Sequence, residues 1–215
     1  MLYIKEHQIQ KILDMINGKI PEDPVLQDMK AFFKEEFGIN IFDYICERAR
    51  TGLLRMRIVV WDGRDQRPFF CRPDRELENM IKDRFSRACR EHGLNTEYYD
   101  PKDYFSVVTP LKHEVEQMLM NKEMMNKISA LLRTFPEVKS HRFSIPTVHV
   151  FYATDADIEN YEKNGLSKKI SDAISDLLGS VPGLEGRRMG DVRFSSLEEF
   201  EGRYKGNFYG FWLDH

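Results

Sequence analysis

Near the N-terminus apolar residues recur at helical spacing. Ile9, Ile12, Leu13 and Ile16 share one face, and Asn17-Gly18 stops the run. Asp23-Pro24 then opens a second helix, with Asp23 as N-cap and Pro24 in the first turn. Its stripe is Val25, Met29, Phe32, Phe33 and Phe37, and Gly38 closes it. Beyond Gly38 the period changes to two. Ile39, Ile41 and the alternation Phe42-Tyr44-Cys46 predict a strand, Thr51-Gly52 a turn, and Leu53 to Trp61 a second strand centred on Ile58, Val59 and Val60. A short strand is expected over Arg67 to Cys71. Asp74 is the expected cap of a helix with the face Leu77, Ile81, Phe85, Ala88 and His92, which Gly93 ends. A strand through Tyr98 and Tyr99, a turn of helix from Pro101 and a strand Phe105–Val108 complete the first half.

Thr109-Pro110 reads as the start of one long helix reaching about Arg133, with the stripe Leu111, Val115, Met118, Leu119, Met125, Ile128 and Leu132. Strands follow near Val138–Phe143 and at Thr147–Tyr152. A helix through Ile170, Ile174, Leu177 and Leu178 ends at Gly179. A strand near Val192–Phe194, a short helix from Ser196 and an aromatic strand Phe208–Leu213 come last.

The two halves resemble each other. Ile58-Val59-Val60-Trp61 matches Val148-His149-Val150-Phe151, and each strand enters a loop with two aspartates. Later, Asp100-x-x-Asp103 and Ser195-x-x-Glu198 both have the spacing of a capping box. The fold expected is therefore α+β: two pseudo-repeated ββαβαβ-like units with largely antiparallel sheet, behind an N-terminal helical hairpin and joined by a long connecting helix. The segments are 1–38 (helical), 39–110 (first unit), 111–135 (connecting helix) and 136–215 (second unit), packed as one compact body.

Composition narrows the function. At 215 residues the chain can bury a core without disulfides or a structural metal. Three cysteines, Cys46, Cys71 and Cys89, form no C-x-x-C pair and read as reduced, mostly buried thiols. The charged N-terminus lacks the apolar core of a secretory signal, and no run of about 18 apolar residues exists to span a membrane. A cytoplasmic location is expected. The phosphate-binding G-x-x-x-x-G-K-[ST] and G-x-G-x-x-G patterns are absent, as are G-x-S-x-G and H-E-x-x-H. No cofactor is indicated.

Candidate chemistry is correspondingly thin. Asp62 and Asp65, with Asp155 and Asp157, follow strands where clustered carboxylates hold Mg²⁺ or move protons; aspartates also favour turns by accepting from nearby backbone N–H groups. They are the weak metal candidates. His149 lies between Val148 and Val150, as a titrating group or as the polar-face residue of a half-buried strand. Met118, Met120, Met124 and Met125 crowd one stretch, forming an adaptable groove or, for Met118 and Met125, plain core.

The uneven feature is arginine. Of 17 in the chain, 11 lie between Arg48 and Arg90. With Lys82 they make 12 positive charges against seven acids over 47–90, a net of +5 that leaves −8 for the rest of a chain whose total is −3. Arg55 and Arg57 share a strand face, Arg84, Arg87 and Arg90 form a helix stripe, and Trp61, Phe69 and Phe70 interleave. Planar guanidinium groups beside aromatics suit acidic protein surfaces and phosphates; locally paired, they make an ordinary solvated surface. The expected function is a non-enzymatic interaction protein, of binding, inhibitor or immunity type, that recognises an acidic macromolecular partner through Arg55, Arg57, Trp61, Arg64, Arg67, Phe69, Arg84, Arg87 and Arg90. Nucleic-acid binding by the same patch and metal-assisted catalysis by the paired aspartate loops are the alternatives.

Overall fold

The computed structural model describes residues 4–66, 69, 75–94 and 100–214. The chain is α+β and divides into two compact units, Met1–Glu114 and Val115–His215. Each holds one three-stranded sheet.

The first unit opens with helices α1 (Glu6–Ile16) and α2 (Pro24–Phe37). α2 begins and ends where the sequence indicates. The Asp23 carboxylate accepts from Leu26 N–H at 2.9 Å, and Gly38 closes the helix at φ 67°, a conformation that L side chains rarely adopt. Strands β1 (Ile41–Arg48) and β2 (Leu54–Val60) form a hairpin whose register pairs Tyr44 with Ile58 and Arg48 with Leu54. Gly52 turns the hairpin at φ 84° and donates its N–H to the Ala49 carbonyl. Lys11 of α1 donates to the Asp43 carboxylate of β1 at 2.9 Å, where burial raises the Asp43 pKa above its ordinary value. Helix α3 (Arg75–Glu91) carries the chain over to β3 (Tyr104–Pro110), which runs parallel to β2. A crossover of this kind is the usual way to join parallel neighbours. Tyr44, Phe85 of α3 and Tyr104 meet edge to face on one side of the sheet.

The second unit repeats the sheet order and strand senses. β4 (Ser140–Ser144) and β5 (Thr147–Tyr152) are antiparallel; β6 (Asp191–Ser196) lies parallel to β5. Between β5 and β6 run α6 (Asp155–Lys163) and α7 (Leu166–Leu178), the latter burying Ile170, Ile174 and Leu178. Each sheet thus joins one antiparallel pair to one parallel pair about its second strand.

Several sequence expectations are corrected. The long connecting helix is two helices, α4 (Lys112–Leu119) and α5 (Lys122–Leu132). Thr109 and Pro110 end β3, and Asn121 restarts the chain as N-cap of α5, accepting from Met124 N–H at 3.0 Å. The break also moves the methionine face: Met120 and Met124 are buried, while Met118 and Met125 are only half-buried. Phe208–Leu213 is not a strand but part of helix α9 (Phe208–Asp214), preceded by α8 (Leu197–Gly202). Phe208 and Phe211, three apart, pack with Phe151 and Phe200, while Tyr209 and Trp212 stay exposed. The cap of α8 is Ser196, one residue later than read, and accepts from Glu199 N–H. Asp100 builds a turn, accepting from Lys102 N–H, rather than a helix. Cys46 is exposed whereas Cys89 is buried. The expected strand at Arg67–Cys71, the Asp74 cap and the Tyr98-Tyr99 strand lie outside the described residues.

Asp23 serves two structures at once, because Tyr44 Oη also donates to it at 3.1 Å. Asp23→Ala removes the helix cap and leaves that half-buried phenol without its acceptor, a cost of about 1–2 kcal/mol. Asp23→Asn, which keeps an acceptor, loses much less. Urea unfolding followed by far-ultraviolet circular dichroism measures both.

Candidate functional site

The arginine-rich stretch separates into three places in the first unit. The first is the face of β2. Arg55 Nε donates to Glu47 Oε1 at 3.0 Å and Arg57 Nη1 donates to the same oxygen at 3.2 Å. Glu47 stands directly opposite Arg55 in the β1–β2 register. The Arg57 side chain is 2% exposed, and burial lowers its pKa, while Glu47 and Glu114 favour its charge. These two arginines share a strand face, as read, but they are engaged with Glu47 within the sheet.

The second place is the 3₁₀ turn Gly63–Gln66 after β2. Asp62 accepts from the Arg64 backbone N–H at 2.9 Å, which holds its carboxyl below the usual range, and pairs with the Arg64 guanidinium. Asp65 accepts from Asp62 N–H. Trp61 packs against Phe42. Phe69 lies against Phe33 and Phe37 of α2 and so contributes to packing there. Arg67, like Arg72 and Phe70, lies outside the described residues.

The third place is α3. Arg84 bridges Asp28 of α2 at 3.1 Å and reaches Glu91 at 3.7 Å; His92 also meets Asp28 at 3.1 Å. Arg87 and Arg90 are exposed. Beside them a groove of about 650 Å³ runs between α2 and α3, lined by Phe32, Met80, Arg84 and Arg87, with Glu76 and Asp83. Of the nine residues singled out by sequence, the structure brings Arg84 and Arg87 together at a groove, and it leaves Arg55 and Arg57 on Glu47 and Arg64 on Asp62.

Asp28, Phe32 and Met80 belong to this place and were not singled out as site residues. Phe32 reads as part of the α2 stripe, yet Phe33 takes the buried position and Phe32 is half-buried at the groove. A stripe two residues wide at Phe32-Phe33 is the signal, since both cannot point to the same core. The Asp28–Arg84 pairing has no local signature.

The acidic loops are used for local structure. Asp157 and Thr154 form the capping box of α6. Asp155 accepts from the Ser196 hydroxyl, while Asp155 N–H donates to Glu198. Among the described residues no three His, Cys, Asp or Glu side chains assemble into a metal-binding group. His149 is fully buried, in a strand covered on both faces rather than half-buried; its Nε2 lies 2.8 Å from Ser144 Oγ and its ring meets Phe208 and Phe211 edge to face. Burial pushes the Cys89 thiol up to about 11, so it holds almost no thiolate near neutral pH. No helix among the described residues is long and apolar enough to cross a membrane.

No family model matches this chain, and no curated protein is significantly similar to it.

The Glu47 cluster makes a direct test of which arginines are structural. Removing one partner of a buried pair leaves an uncompensated charge, which costs about 3–5 kcal/mol when burial is complete. Glu47 retains 22% exposure, so Glu47→Ala is expected to destabilise by about 2 kcal/mol, measured by urea unfolding. Arg87→Ala, on the open face of α3, should change stability by less than about 0.5 kcal/mol.

Proposed function

We propose that the protein is a non-enzymatic cytoplasmic interaction module, of the binding, inhibitor or immunity type, whose α2–α3 groove receives an acidic segment of a partner protein. The observation that carries this reading is the juxtaposition of Arg84 and Arg87 with Phe32 and Met80 along one groove. Arginine beside an apolar anchor is the composition that concentrates binding energy at protein interfaces. Glu76 and Asp83 in the same groove set a polarity, so that an acidic segment is favoured only when its carboxylates lie against the arginines. The identical order and senses of the two sheets support a further part of the reading, that the two units descend from one duplicated sheet-forming unit.

The experiment is capture of partners by the tagged full chain from native lysate, followed by measurement of affinity for the recovered protein. Arg87→Glu reverses a charge that no structural ion pair uses in the way Glu47 uses Arg57. It is expected to weaken binding by about 2 kcal/mol or more while leaving the melting temperature unchanged. Unaltered capture by this variant would overturn the assignment. Recovery of nucleic acid instead, with a steep loss of affinity on adding salt, would favour the phosphate-backbone alternative.

A further inference from the structure

A second concavity lies in the other unit, at β4, an edge strand of its sheet. It measures about 370 Å³ and is lined by Arg133, Lys139, His141 and Arg142, together with the apolar Leu132 and Val138. Its lining includes no carboxylate. This differs from the groove beside α3, where two acids accompany two arginines.

Structural roles account for only part of this set. Arg133 ends α5 as its C-cap residue, where a cation complements the helix dipole. Lys139 donates to the Pro136 carbonyl at 2.9 Å. His141 Nε2 lies 2.8 Å from Ser129 Oγ of α5. None of these contacts supplies a negative charge. Among the described residues neither Arg133 nor Arg142 makes an ion pair, in a chain where Arg55, Arg57, Arg64, Arg84, Arg193 and Arg203 all do. The His141 imidazole registers the imbalance: burial, then Arg133 and Arg142, lower its pKa below the ordinary value, with no acid opposing them.

We propose that this concavity binds the phosphate group of a small organic phosphate ester. Arg133, Lys139 and Arg142 all line this one concavity with no acid among them, so a dianion balances them better than a monovalent carboxylate does. A phosphate monoester is largely dianionic above a second pKa of about 6 and offers three acceptor oxygens, which guanidinium forks engage in pairs. The volume lies near the lower end of the roughly 300–1,000 Å³ typical of small-molecule sites, and the partly exposed Val138 provides an apolar surface for the organic part. The site is independent of the α2–α3 groove, and either assignment can fail without the other.

The test is titration of the ¹⁵N-labelled full chain with inorganic phosphate, phenyl phosphate and benzoate at constant ionic strength, read by amide and imidazole NMR shifts. Saturable shifts from both phosphates, centred on Arg133 and the Lys139–Arg142 strand, are expected, with benzoate weaker. Phosphate should also raise the His141 titration midpoint, because the anion offsets Arg133, Arg142 and Lys139, the cations grouped with it; Ser129 is its neutral partner. Arg133→Gln combined with Arg142→Gln should weaken phenyl phosphate binding by about tenfold or more, since each charge-assisted pair removed is a strong one. The melting temperature should fall only slightly, because Arg133→Gln gives up the charge that complements the helix dipole but neither side chain has an ion pair to lose. The absence of saturable shifts, equal affinity for benzoate, unchanged binding by the double variant or an unmoved His141 midpoint would each overturn the proposal. Tighter binding of a short single-stranded oligonucleotide than of phenyl phosphate would overturn the small-molecule assignment.

Discussion

A strand buried along both faces has no room for an uncompensated charge, and both sheets are organised around such a strand. In β2 consecutive residues from Met56 to Val60 are buried, and in β5 those from Val148 to Tyr152. Since neighbouring side chains point to opposite faces, this pattern requires cover on each side. Apolar residues meet the requirement everywhere except at Arg57 and His149. Each exception is met by a side chain on the neighbouring antiparallel strand: Glu47 for Arg57 and Ser144 for His149. The antiparallel pairing therefore does more than hold backbone hydrogen bonds. Its register decides whether the polar residues of the central strand can be tolerated at all.

Local signals in the sequence translated into structure where short-range geometry decides the outcome. Asp23-Pro24 and Gly38 bound α2 as read, because a cap and a left-handed stop depend on only a few residues. Failures came where tertiary packing chose between two patterns. The segment Phe208–Leu213 is aromatic enough to suggest a strand, but Phe208 and Phe211 reach the Phe151–Phe200 cluster together only with helical spacing. The stripe from Leu111 to Leu132 is regular enough to suggest one helix, yet Asn121 caps a new one and so turns Met120 and Met124 inward. At Ser195-Ser196 two serines compete for one cap, and the spacing to Glu198 and Glu199 fits either.

The candidate site was legible as a density of charge but not as an arrangement. Counting arginines could not distinguish Arg57, confined within a sheet, from Arg87, exposed on a helix. Part of that distinction was within reach: once Gly52 turns the hairpin, the pairing of Glu47 with Arg55 follows from counting outward along both strands. The Asp28–Arg84 pair was not within reach, because it depends on how α2 lies against α3. The basic concavity at β4 was overlooked for the opposite reason. Arg133 and the Lys139–Arg142 run lie outside the 47–90 stretch, in a remainder whose negative total conceals a local excess.

The mixed sheet also imposes an order of assembly on a growing polypeptide. In each unit the hairpin can zip as soon as its two strands leave the ribosome, because its partners are close in sequence. The parallel edge must wait: Tyr104 and Asp191 emerge only after the intervening helices have been made. During that interval one side of β2, and later of β5, presents unpaired amides and carbonyls along an apolar strand, which invites pairing with another nascent chain. The helices between the strands are therefore more than connectors. They set how long the open edge of the hairpin stays exposed before the third strand arrives to seal it.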